Sequence, residues 1–75
     1  MIGIEWDEEK RRENLEQRKV DFRRAARIFE NPGIEAIDYR DDYGETRVRA
    51  LGHIEDDYYL VAYTWRGNNR RIITA

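Results

Sequence analysis

Tyr58-Tyr59-Leu60-Val61-Ala62-Tyr63-Thr64-Trp65 is an uncharged run dominated by aromatic and β-branched side chains. That composition suits a half-buried pleated surface and predicts the central strand of a sheet. Downstream, Gly67-Asn68-Asn69 reads as a turn into a last strand at Arg70 to Thr74. Upstream, Glu45 to Gly52 sets Thr46, Val48 and Ala50 against Arg47, Arg49 and Leu51, the two-residue period of a strand with two different faces. Asp41-Asp42-Tyr43-Gly44 reads as the turn before it, and Ile34 to Tyr39 as a further strand. Strands joined by such short connections pair as an antiparallel meander.

Ahead of residue 33 the period is helical. Phe22, Ala25, Ala26 and Phe29 fall at i, i+3, i+4 and i+7 after an Asp21 cap, with Arg23, Arg24 and Arg27 on the other side. Asn31-Pro32-Gly33 ends this helix, because proline cannot continue it. An earlier helix is expected over about residues 7 to 19: Asp7 can cap it, Glu8 and Glu9 occupy its first turn, and Arg18 and Lys19 its last. Leu15 is its main apolar anchor, with Asn14 beside it. Ile2 and Ile4 alternate with Gly3 and Glu5 before Trp6, which predicts a short first strand. The expected architecture is α+β, with two N-terminal helices packed on one face of an antiparallel sheet of about four strands, plus that short strand. At 75 residues the chain is expected to form a single domain, 1–75, of marginal stability.

Charge is segregated along the chain. The formal net charge is -2, yet residues 10 to 27 carry eight Lys/Arg against three acids, and the last ten residues carry Arg66, Arg70 and Arg71 with no acid. An acidic stretch separates these two basic segments. If folding joins them they form a positive face on an acidic protein, suited to phosphates. Cysteine is absent, which removes disulfides and thiolate zinc sites and points to a reducing cytoplasm. No apolar run approaches the roughly 18 residues of a membrane span, so no membrane association is expected. No cofactor or metal is expected either: the single histidine, His53, has no His or Cys companion, and the acids Glu55, Asp56 and Asp57 beside it read as a solvated loop.

The residues suited to chemistry are Arg47, Arg49, Arg66, Arg70 and Arg71 on strands expected to be neighbours, interleaved with Tyr59, Tyr63 and Trp65. Guanidinium forks bind phosphate bidentately and aromatic rings stack on unpaired bases, a combination that fits single-stranded RNA. His53 is a candidate base, with an ordinary pKa near about 6.5.

Ile4-Glu5-Trp6-Asp7, Lys10 and Asn14, then Val20, Phe22, Ala25, Ala26, Phe29 and Pro32, then Gly44-Glu45, Arg47 and Ala50-Leu51-Gly52, and finally Tyr63-Thr64, Arg66-Gly67 and Arg71-Ile72-Ile73-Thr74-Ala75 resemble, in order and spacing, the BrnT family of ribonuclease toxins. The family pattern has Lys-His-Gly where this chain has Gln17-Arg18-Lys19, and it continues beyond the position of Ala75 with an arginine and a basic helix. The resemblance implies a RelE-like fold, metal-independent cleavage of RNA through the 2′-hydroxyl, and neutralisation by a BrnA-type antitoxin, with DNA engaged only through that antitoxin. Of the candidate site residues, Arg47, Arg66 and Arg71 match the family pattern and are expected to contact phosphate, with Tyr63 as proton donor or stacking platform; from the residues alone His53 is the candidate base, and Lys10, Arg49 and Arg70 are the candidates for binding RNA. The competing expectation is a non-catalytic interaction module, an inactive toxin relic binding an acidic partner or a second copy of itself.

Overall fold

The computed structural model describes residues 2–39 and 44–75. In chain order these form β1 (Gly3–Trp6), α1 (Glu8–Arg18), α2 (Phe22–Ala25), a 3₁₀ helix (Ala26–Glu30), β2 (Ile34–Asp38), β3 (Arg47–Ile54), β4 (Asp57–Arg66) and β5 (Asn69–Thr74). The strands lie in one sheet of order β1-β5-β4-β3-β2. The aromatic run is indeed central, since β4 has two strands on either side.

The sheet differs from the antiparallel four-strand expectation in one respect. The short first strand is a full member, and it pairs parallel to β5 from Gly3 opposite Asn69 to Trp6 opposite Ile72. The intervening elements supply the long crossover that parallel neighbours need, whereas reading adjacent strands alone yields only the antiparallel meander. β2 to β5 are antiparallel as expected, with a bulge at Ala62/Tyr63. Both remaining turns are tight. Gly67 has φ +61°, the left-handed backbone a two-residue hairpin demands, and Glu55 adopts φ 54° between β3 and β4. Apart from Gly44, the turn expected at Asp41-Asp42-Tyr43-Gly44 falls outside the described residues.

Alternation divides the sheet. Ala50 and Ile54 of β3, Val61 and Tyr63 of β4 and Ile72 of β5 are buried together with Phe22, Ala25, Ala26 and Ile28. The second helix, expected as one α-helix, is one α turn followed by a 3₁₀ helix. The 3₁₀ segment lies so close to β3 that a Cβ on Gly52 would sit 2.8 Å from Ile28 Cβ. Glycine at residue 52 is what admits that approach.

α1 is anchored differently from the expectation. Leu15 is 38% exposed, and the buried residue is Asn14. Its Nδ2 donates to the carbonyls of Val20 (3.0 Å) and Ala75 (2.9 Å), and its Oδ1 accepts from the Ala75 amide. One side chain thereby ties the helix to the turn after it and to the residue following β5. Asp7 caps α1 by accepting from the amides of Glu9 and Lys10, and Lys19 closes it at φ 61°. Asp21 caps α2 through the Arg23 amide. No described helix is long and apolar enough to cross a membrane.

Arg11 couples the two helices, reaching Glu8 on α1 and Asp21 at 3.2 Å. Hydrogen bonds from Arg11 and the Trp6 indole hold Glu8 at a pKa of about 2. Asp21 is likewise held at about 2, chiefly by the Arg23 side chain, with the Arg23 amide and Arg11 adding to it. Both folded-state values lie below the ordinary 4.5 and 3.8, so this stabilisation is present above the unfolded values and lost as pH falls toward 2. Thermal melts should therefore show Tm falling between pH 4.5 and about 2, with a shallower fall in an Asp21→Asn variant. Replacing Asn14 by Ala strands the half-buried carbonyls of Val20 and Ala75 and should cost about 1–3 kcal/mol by chemical denaturation, whereas Leu15→Ala should cost less.

Candidate nucleic-acid groove

The face opposite the helical core begins with the odd-numbered residues of β3. Arg47 pairs with Thr64 on β4, and Thr64 with Arg71 on β5. Arg71 in turn pairs with Glu5 on β1. A row across four strands thus carries two arginines, a threonine and a carboxylate. Arg66 follows Thr64 by two residues on the same side of β4. Lys10 comes from the first turns of α1, and with Glu45, Arg47, Thr64, Trp65, Arg66, Arg71 and Ile73 it lines a cleft of about 410 Å³.

This cleft is one part of a longer groove. A second cleft shares Lys10, Arg47 and Ile73 with it and adds Glu13, Asn14, Gln17, Arg18 and Thr74. A third shares Arg18, Arg47 and Thr74 with the second and adds Val20, Asp38, Arg49, Tyr58, Tyr59, Leu60, Ala62 and Ala75. Arg47 belongs to all three and sits where they meet. The cations along the groove are Lys10, Arg18, Arg47, Arg49, Arg66 and Arg71, and the facing carboxylates are Glu5, Glu13, Asp38 and Glu45.

Carboxylates hold several of these cations in place. Arg71 Nη1 donates to Glu5 Oε2 at 2.6 Å, Arg66 Nη1 lies 3.8 Å from the same oxygen, and Asn69 Nδ2 donates to Glu5 Oε1 at 3.0 Å. The Asn69 hydrogen bond and then Arg71 keep the Glu5 carboxyl below its ordinary value. It stays charged, and it is a weak base. Arg47 Nε meets Glu45 Oε1 at 3.0 Å. Lys10, Arg18 and Arg49 have no ion pair with any described residue. Thr64 Oγ1 donates to the Thr46 carbonyl at 2.7 Å, fixing its rotamer between the two arginines. Three His/Cys/Asp/Glu side chains at metal-ligand spacing do not occur among the described residues.

Of the residues expected at a site, Arg47, Arg66, Arg71, Lys10 and Arg49 line this groove, whereas Tyr63, Arg70 and His53 do not. Tyr63 is 1% exposed, on the helix side, and its hydroxyl donates to Glu35 at 2.7 Å. Burial, then that hydrogen bond, pushes the phenol upward in pKa. Arg70 is on the same side, its guanidinium 4.4 Å from the Phe29 ring centroid, 5.0 Å from Trp65 and 5.5 Å from Tyr63. His53 shares the open face with Arg47 but lies six residues away along β3, about 20 Å at strand rise; its ring neighbour is Tyr58. Strand parity carries this division: Arg70 and Arg71 are adjacent and must point to opposite faces, as must Tyr63 and Thr64. Arg18 and Glu5 were not singled out from the sequence. Arg18 looked like an ordinary basic helix end, and the position of Glu5 depends on the parallel β1–β5 pairing.

A family model described as the ribonuclease toxin BrnT of type II toxin-antitoxin systems matches residues 6–75. The chain belongs to this family. A comparison with curated proteins finds no match. Membership in the BrnT family brings an antitoxin partner with it. The residues that carry the BrnT resemblance now sort by what they touch. Trp6 packs edge-on against Phe22 at 6.3 Å, Asp7 caps α1, and Asn14 ties the middle of that helix to Val20 and Ala75. Lys10, Arg47, Arg66 and Arg71 meet in one cleft.

Because Tyr63 is buried on the helix side, Tyr63→Phe should lower stability by about 1 kcal/mol through loss of the Glu35 hydrogen bond. RNA affinity should be unchanged in a fluorescence titration; a marked loss would place the phenol in the binding surface after all.

Proposed function

We propose that this BrnT-family chain cleaves single-stranded RNA without a metal, using the open-face groove centred on Arg47, and that an antitoxin of the BrnA type neutralises it. The observation carrying this reading is the convergence of Lys10, Arg47, Arg66 and Arg71, from one helix and three strands, on a single cleft. A phosphodiester laid there meets guanidinium groups from two sides. It can displace Glu5 and Glu45 from their arginines, because phosphate offers the same bidentate acceptor geometry.

Attack of a ribose 2′-oxygen on its neighbouring phosphorus forms a 2′,3′-cyclic phosphate and expels the 5′-oxygen. Negative charge grows on the non-bridging oxygens, where fixed cations stabilise the transition state more than the ground state. Lys10, without a described carboxylate partner, is the group best placed to protonate the leaving oxygen. The 2′-proton departs to water, since the Asn69 hydrogen bond, the largest cause of its lowering, still keeps the Glu5 carboxyl a weak base after phosphate has taken over the arginines. His53 and Tyr63 have no part in this scheme.

The Arg71–Glu5 and Arg47–Glu45 pairs favour a second reading, a groove that binds an acidic partner and cleaves nothing. Cleavage assays separate the two. With a labelled single-stranded RNA in the presence of EDTA, the parent should yield cyclic-phosphate ends, and Arg47→Ala or Arg71→Ala should lower kcat/KM by about 10²–10³-fold. Each substitution should also reduce the slope of log binding constant against log salt by about 0.7. Failure of the parent to cut, with antitoxin binding intact, selects the binding module.

A further inference from the structure

Beyond Arg49 the open face changes character. Ile34 on β2 pairs with Leu51 on β3, and Leu51 with Leu60 on β4, so three aliphatic side chains form one row across three strands. They are 71%, 45% and 53% exposed. The next row toward the groove is Ala36, Arg49 and Ala62, and the one after it begins with Asp38 and Arg47. Small residues on both sides of Arg49 leave a shallow floor there, and its buried Nε has no hydrogen-bond partner among the described residues. One flat surface therefore passes within three rows, about 13 Å, from aliphatic to cationic.

We propose that this row is the docking surface for the antitoxin, which seats aliphatic side chains on Ile34, Leu51 and Leu60 and lays carboxylates against Arg49 and Arg47, blocking the groove. The proposal rests on the family's antitoxin partner and on charge complementarity, and it adds where the contact falls and what chemistry the partner presents. A helical segment of about nine residues spans the three rows at 1.5 Å per residue, apolar at one end of its contact face and acidic at the other. RNA fits the row less well, because bases stack on aromatic faces and these three side chains are aliphatic. Occupying Arg47 inhibits without reaching the rest of the cleft, since Arg47 is common to all three parts of the groove.

The test is calorimetric titration of the full chain with a BrnA-type antitoxin, without RNA, so that the result does not depend on nuclease activity. Ile34→Ser/Leu51→Ser, which adds no charge beside Arg49, should weaken antitoxin binding at least tenfold while leaving RNA affinity and RNA cleavage as in the parent. Parent affinity for the antitoxin should fall as salt rises. If the double variant melts early, Ile34→Ser reads the same surface from its most exposed residue and should weaken binding measurably at parental Tm. Unchanged antitoxin affinity in the folded variants overturns the proposal. So do salt-independent binding, a loss of RNA affinity in place of antitoxin affinity, or light scattering that reveals a parental dimer dissociated by the substitutions. A parent that binds antitoxin through this row but does not cut RNA leaves this inference standing and removes only the nuclease reading.

Discussion

The parallel pairing of β1 with β5 joins the first strand to the last, and the groove depends on it. Register places Glu5 against Arg71 and Trp6 against Ile72. Trp6 then packs on Phe22 while Asp7, the next residue, caps α1. Within the following turn the helix delivers Lys10 to the cleft that holds Arg66 and Arg71. Asn14 closes the same loop from the other end by gripping Ala75. Two basic segments separated by an acidic stretch become neighbours through these backbone bonds and this side-chain clamp.

The groove is electrostatically poised rather than simply positive. Its guanidinium groups are held by Glu5 and Glu45, which lowers the cost of ordering flexible side chains and keeps them aimed across the cleft. Half-buried pairs still open to solvent contribute on the order of 1 kcal/mol each, so an incoming phosphate can exchange with them. A protein of net charge -2 can accordingly present a cation-lined surface without that surface repelling itself apart.

The helix side makes a different use of the same residue types. Arg70 is enclosed by Phe29, Tyr63 and Trp65, where its charge is met by ring faces, and Tyr63 reaches Glu35 across the sheet. Such contacts are worth about 0.5–2 kcal/mol at partly desolvated sites. They lock β5 to β4 beneath the 3₁₀ helix and so fix the facing direction of Arg71, the next residue. A ring-packed arginine and a groove-lining one are thus neighbours in sequence, separated by the thickness of the sheet.

Much of this was legible without coordinates. The strand-forming run at Tyr58 to Trp65, the caps Asp7 and Asp21, the break at Asn31-Pro32-Gly33 and the alternation in β3 are local properties, set by side-chain shape and by hydrogen bonds between residues a few positions apart. The order and spacing of the BrnT-like residues were equally a property of the chain. What tertiary structure decided is which strands meet and which parity faces the helices: the parallel β1–β5 pair, the burial of Asn14 over Leu15, the separation of Arg70 and Tyr63 from Arg66 and Arg71, and the distance of His53 from Arg47. Those outcomes depend on pairings as far apart as Asn14 and Ala75, where the free energy comes from contacts between the two ends of the chain, and no local pattern encodes a partner sixty-one residues away.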